Sequence, residues 1–244
     1  MAVGTHSLYY SCGGNASGPS VIFLAGLGGD HSLWPIADAI RGRAYVCTYD
    51  RFGDGLSSRP DFRTTAEGDL SDLQELVEKA PFRRPATLVG HSYGGLLAYF
   101  MARSYPDEID GLLLVDASHP DQRERFETLM TDEERALFES DANPPGADQP
   151  RPDMFASLEV VDEAYGTLGD MPLTVLTATN GFNSDGCTAG LPCDEMQQAW
   201  LQLQKEYAAL SEDATHFEID TGHYIQDEKP DLVVTQILAL LDRL

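Results

Sequence analysis

Short apolar runs and helix-patterned segments alternate along the whole chain, and this alternation limits the possible folds more than any other feature. The strand-like runs are Ser7 to Ser11, Val21 to Leu24, Tyr45 to Tyr49, Thr87 to Val89, Leu112 to Val115, Leu173 to Thr177 and His216 to Ile219. Each is short and bounded by Gly, Pro or Asp. Between them, apolar residues recur at helical spacing over Leu33 to Ile40, Ala66 to Lys79, Gly95 to Ser104, Glu195 to Leu210 and Asp231 to Leu241. Near-continuous apolar strands belong to a sheet covered on both faces, whereas a strand with one wet face alternates. The expected class is α/β, a mostly parallel central sheet flanked by helices.

The rhythm breaks once. After Val115 the next strand pattern begins at Leu173, and the interval holds two acidic helical patterns (Asp121 to Met130, Asp132 to Ser140), a proline-rich loop (Asn143 to Pro152) and a helical segment to about Tyr165. So long an excursion inside a compact domain is usually a functional insertion. A chain of 244 residues can bury roughly 70–75% of its unfolded surface in one core. The expected organisation is therefore a single core, 1–118 and 170–244, carrying a lid, 119–169. The lid helices are amphipathic and are expected to lay Phe126, Leu129, Met130, Leu137, Phe138 and Phe155 over Ser92 while carboxylates face water.

Charge excludes some partners. With 40 Asp plus Glu against 16 Lys plus Arg, the formal charge is −24, too acidic to build the clustered positive surface that nucleic acid or an anionic membrane requires. No run approaches the ~20 apolar residues of a membrane span. The first residues show no charged start followed by an apolar stretch, so any secretion leader is expected to be absent or removed. Cys12, Cys47, Cys187 and Cys193 lack zinc-like pairing, which leaves two disulfides or four thiols. A secreted location follows from disulfides, a cytoplasmic one from thiols. Oligomeric state is not encoded in any pattern found.

Chemistry concentrates where the run ending at Val89 meets Gly90, His91, Ser92, Tyr93, Gly94, Gly95 and a helical pattern follows. This is G-x-S-x-G between a strand and a helix, a turn tight enough to stand the Ser92 hydroxyl at the carboxyl edge of a sheet. A serine hydroxyl needs a neighbouring base before it can act as a nucleophile. Metal-dependent chemistry lacks an HExxH or clustered ligands. Gly26, Gly28 and His31 miss the third glycine of a dinucleotide-binding loop, so no cofactor is expected.

On these residues the chain resembles the α/β-hydrolase family. The resemblance rests on Ala25, Gly26, Leu27, Gly28, Gly29 with Trp34 following, on Asp50, Arg51, Phe52, Gly53, Asp54, Gly55, Leu56, Ser57, on GHSYGG, and on the chain order Ser92, an acid, His223. It covers nearly the whole length apart from the insertion. It implies Ser92 as nucleophile, His223 as general base, and the backbone amides of Leu27 and Tyr93 as the oxyanion hole. Most of the family places the acid after the strand that follows the lid, where this chain has Gly181. Some members use the preceding strand, so Asp116, at the end of Leu112 to Val115, is the expected acid, with Asp185 as the alternative. An aspartate nucleophile, used by dehalogenases and epoxide hydrolases of similar fold, is excluded by Ser92. DRFGDGLS is expected to be a structural turn with Asp50 and Arg51 in local hydrogen bonds. His91 is expected to pack within the turn, His216 to be structural, and His6, His31 and His119 have no comparable context. The resemblance also implies disulfides Cys12–Cys47 and Cys187–Cys193.

The implied activity is that of a cofactor-free serine hydrolase cleaving a small-molecule carboxylic ester, lactone or thioester through an acyl-enzyme, with a Ser-His-Asp triad. Peptidase and perhydrolase chemistry stay open within that class. The alternative is a non-hydrolytic ligand-binding or ring-forming protein that reuses the same pocket.

Overall fold

The computed structural model describes all residues except Phe82, 144–151 and 183–186. Most of the proline-rich loop and the alternative acid Asp185 lie outside the described residues. Two short strands, β1 (Ala2–Val3) and β2 (His6–Ser7), form an N-terminal hairpin. The main sheet comprises β3 (Tyr10–Gly14), β4 (Ser20–Leu24), β5 (Tyr45–Tyr49), β6 (Ala86–His91), β7 (Ile109–Val115), β8 (Leu173–Ala178) and β9 (Ala214–Ile219). Its order is β3-β5-β4-β6-β7-β8-β9, antiparallel only at β3–β5. The α/β class with a mostly parallel, helix-flanked sheet is as expected. One boundary differs: the run read as Ser7 to Ser11 is split between the hairpin and β3, in which Cys12 sits opposite Cys47.

Pleating explains the uniformly apolar strands. In β4, Val21 and Phe23 join one buried cluster with Trp34, Ile36 and Ile237, while Ile22 and Leu24 join the other with Leu73, Leu96 and Trp200. Both faces are dry, so every position in the strand is apolar or buried. On the second cluster's face lie α1 (Ala66–Lys79), α2 (Tyr93–Ser104) and, nearer β8, α6 (Cys193–Ala208). The opposite face carries α8 (Pro230–Leu241), after the short α7 (Ile225–Glu228), and a 3₁₀ segment, Pro35–Ile40. That segment was expected to be an α-helix and is instead a 3₁₀ helix of six residues.

Between β7 and β8 the chain forms α3 (Gln122–Glu127), α4 (Asp132–Ala142) and α5 (Met154–Glu163). Thr131 and Glu134 close a reciprocal capping box on α4. The excursion is fastened at several points: the Ser157 hydroxyl accepts from Ala66 N–H at 3.0 Å, and the Arg103 guanidinium donates to the carbonyls of Ala164 and Thr167.

Both expected disulfides form, Cys12–Cys47 across neighbouring strands and Cys187–Cys193 around a short loop. Denatured, unreduced protein should therefore show no titratable thiol; four thiols would contradict these pairings. Among the described residues, no helix is long and apolar enough to cross a membrane.

Candidate active site

The chain leaves β4 for β5 on one side and returns to β6 on the other, so strand order reverses between β4 and β6. Ligands in open α/β sheets collect at such a reversal, beyond the carboxyl ends of the strands. Here that edge brings together the Ala25–Gly29 loop after β4 and Ser92 after β6.

Ser92 links β6 to α2 with φ 52° and ψ −123°, a region that non-glycine residues rarely adopt. Its backbone is over-determined: the carbonyl accepts from the N–H groups of Gly95, Leu96 and Ser118, and its own N–H donates to Val115. Close packing forces the flanking composition, since a Cβ on Gly94 would lie 2.2 Å from the Leu24 carbonyl oxygen. Tyr93 opens α2, where leading N–H groups have no carbonyl in a preceding turn.

Asp116 follows β7 directly and also has positive φ, 43°. Its carboxylate is buried and fully partnered. Oδ1 accepts from Ala178 N–H at 2.9 Å and from the Trp200 indole at 2.8 Å; Oδ2 lies 2.6 Å from His223 Nδ1. A carboxylate on Nδ1 fixes the proton there and leaves Nε2 as the acceptor nitrogen. A Cβ placed on Gly181 would lie 3.4 Å from Asp116 Oδ2. The end of β7 and position 181, where an acid is common in the family, therefore converge on one spot, which the Asp116 carboxylate occupies.

His91 is buried against His223, ring centroids 4.6 Å apart, with Nε2 3.1 Å from the His223 carbonyl. Burial, aided by the neighbouring His223, holds the ring far below the usual histidine range, so it is neutral and Nε2–H donates. Its Nδ1 faces Gly26, where a Cβ would come within 2.8 Å. Of the other histidines, His216 hydrogen-bonds Thr177 between β8 and β9, and His6 pairs with Asp72. His119 reaches Tyr165 and, through burial, stays neutral down to about pH 3.

Two cavities meet at this edge, both lined by Leu27, Ser92 and His223. One, about 410 Å³, runs along Gly26 to Asp30 with Ser32, Leu33 and Tyr224. The other, about 230 Å³, lies beneath the β7–β8 excursion and is walled by Phe126, Phe138, Met154, Phe182 and Trp200. Of the six apolar residues expected over the serine, Phe126 and Phe138 reach this wall. Phe155 packs behind Phe138, and Leu129 is turned outward, 38% exposed.

A family model described as the alpha/beta hydrolase family matches residues 21–236. The chain belongs to the α/β-hydrolase family. It is 26% identical over 220 residues to the Bacillus subtilis (strain 168) protein YqjL, covering 89% of this chain and 81% of that one. It is 35% identical over 100 residues to the human (lyso)-N-acylphosphatidylethanolamine lipase, covering 39% of this chain but 29% of the lipase. In structure it resembles the enol-lactonase of Burkholderia xenovorans LB400, with TM-score 0.70, 20% identity and 99% of each chain covered.

In this α/β-hydrolase the DRFGDGLS turn does more than the local role expected of it. Asp50 behaves as expected, accepting from Leu56 N–H and, further off, from His31. Arg51 instead crosses to the first loop, where its buried guanidinium donates to the carbonyls of Ala25 and Gly26 and pairs with Asp54. It also lies over the Tyr93 ring at 5.3 Å, and the Tyr93 hydroxyl donates to Asp69. Thus one buried arginine touches both segments whose amides were expected to bind an oxyanion. Two trios, Asp30–His31–Asp50 and His119–Asp121–Glu206, have potential ligand atoms within 4.8 Å of one another. Each is already tied up internally, through His31 on Asp50 and through Asp121 N–H on His119.

Proposed function

We propose that this chain is a cofactor-free serine hydrolase of carboxylic esters, lactones or thioesters, with Ser92 as nucleophile, His223 as general base and Asp116 as the acid. The observation that carries the reading is the buried Asp116 carboxylate, with Oδ2 2.6 Å from His223 Nδ1, beside a serine held at a strained turn. Asp116 orients the imidazole and stabilises its charged form, and Nε2 removes the Ser92 proton as Oγ attacks the carbonyl carbon. The amides of Leu27 and Tyr93 receive the oxyanion. Nε2 returns the proton to the departing alcohol or thiol, and water repeats the sequence on the acyl-enzyme. Arg51, by gripping the Ala25 and Gly26 carbonyls, holds the Leu27 amide in place. The likeness to a lipase and to an enol-lactonase supports this substrate class. The two disulfides support an oxidising compartment.

The excursion 119–169 is then a lid over the acyl group. The 230 Å³ cavity takes the acyl chain, and the glycine-lined cavity of about 410 Å³ takes the leaving group. Turnover of a p-nitrophenyl ester series from acetate to decanoate tests both halves of the reading. Saturable hydrolysis that peaks within the series is expected, and its absence across the series would favour a binding protein. Phe138→Ala should shift the optimum to longer chains; an unmoved profile would show that the lid does not select.

Trp200→Phe keeps the aromatic wall but removes the indole donor from Asp116. A hydrogen bond to an ionised group contributes ~1.5–3 kcal/mol, so kcat should fall about tenfold or more with KM nearly constant. Unchanged kcat would show that the indole does not help position the acid.

A further inference from the structure

A space of about 500 Å³ opens between the N-terminal hairpin, the loop after β5 and the start of α1, sharing no lining residue with the crevice above. Its size suits a small organic ligand. Its wall includes two polar side chains that are nine-tenths buried, each with one oxygen that lacks a partner. Asp69, 2% exposed, spends Oδ2 on the Tyr93 hydroxyl, but Oδ1 has no hydrogen bond; the Thr64 hydroxyl, 8% exposed, has none either. Buried polar atoms in folded proteins are nearly always satisfied, so two such atoms on residues that line one cavity point to a missing donor.

The rest of the wall specifies that donor. Phe52 and Phe62 approach edge to face at 6.3 Å, and Phe62 is 59% exposed, an unusual setting for so large an apolar ring. Asp72 and Glu75 add carboxylates on the next turns of α1. Asp72 is occupied by His6, and Arg63, also in the wall, is bonded to Asn143. Carboxylate acceptors beside the exposed Phe62 ring and the half-buried Phe52, one face of which is stacked on His6, suit a cation with an apolar body, since an ammonium gains both charge-assisted hydrogen bonds and attraction to a ring. The net charge of −24 draws cations toward the surface generally. Burial raises the Asp69 carboxyl to about 6 despite Arg51 nearby, so it is mostly ionised at neutral pH and under-compensated.

We propose that this cavity is a second ligand site, binding a primary organic ammonium whose nitrogen donates to Asp69 and Thr64 and whose apolar body lies against Phe52 and Phe62.

Calorimetric titration of the full chain with phenethylamine at pH 7.5 tests it, with 2-phenylethanol and 3-phenylpropionate as neutral and anionic counterparts. Saturable binding of the amine is expected, at least about tenfold tighter than the alcohol, with the carboxylate silent. Asp69→Asn should weaken the amine about tenfold or more, and Thr64→Val and Phe62→Ala several-fold each, with ester turnover unchanged in the last two. Should Asp69→Asn fail to fold, the other two variants decide. No saturable binding at millimolar amine, equal affinity for amine and alcohol, or undiminished affinity in any variant that folds overturns the proposal.

Discussion

Ser92→Ala is expected to abolish ester hydrolysis while the protein stays folded. Removing the nucleophile of a serine protease costs on the order of 10⁶ in turnover, and the residual rate reflects binding and oxyanion stabilisation alone. The same scale applies here if Ser92 carries the covalent step. The hydroxyl makes no contact that the fold depends on, because the strained turn is held by the Ser92 carbonyl and N–H, which alanine keeps. Alanine also tolerates φ 52° no worse than serine. The thermal unfolding midpoint should therefore match the parent while kcat falls to background. A fall in both together would mean that the variant reports on folding rather than chemistry.

Asp116→Asn is expected to cost about 10⁴-fold in kcat by analogy with the equivalent change in a serine protease. The reasoning follows the bonds. The asparagine carbonyl can still accept from Ala178 N–H and the Trp200 indole on the Oδ1 side, which turns its NH₂ toward His223 Nδ1. An N–H pointing at Nδ1 makes that nitrogen an acceptor and moves the ring proton to Nε2, so the imidazole faces Ser92 with no lone pair. KM should change little. Asp185→Asn, in contrast, should leave kcat near the parent value; the reverse ranking would move the acid to the later loop. The convergence of Gly181 on Asp116 Oδ2 adds a sharper version. Adding Gly181→Asp to Asp116→Asn restores a carboxylate to the same spot, and partial recovery of turnover is expected.

How far the sequence could be read depended on the range of the contacts involved. Strand and helix alternation, the elbow-like turn at Ser92 and the positions of Asp116 and His223 after their strands are local patterns, and the fold places them at one sheet edge. In the sequence Gly181 is only a missing aspartate, because its closeness to Asp116 Oδ2 is a contact across 65 residues that the fold creates. The partners of Asp116 were invisible because Ala178 and Trp200 lie 62 and 84 residues away along the chain. Arg51 was legible only in part for the same reason: its local pairing with Asp54 follows from the turn, whereas its bonds to carbonyls 25 and 26 residues earlier do not. The 3₁₀ form of Pro35–Ile40 has no signature in the sequence, since a proline at the first position opens the α-helix Pro230–Leu241 equally well.

Mass spectrometry of the intact chain after exposure to a fluorophosphonate, followed by peptide mapping, addresses the proposed covalent step directly. The account predicts a single adduct, located on the peptide spanning Ser92, absent from Ser92→Ala and formed much more slowly in His223→Ala. An adduct on another residue, full labelling of Ser92→Ala, or no adduct on a chain that binds esters would contradict it.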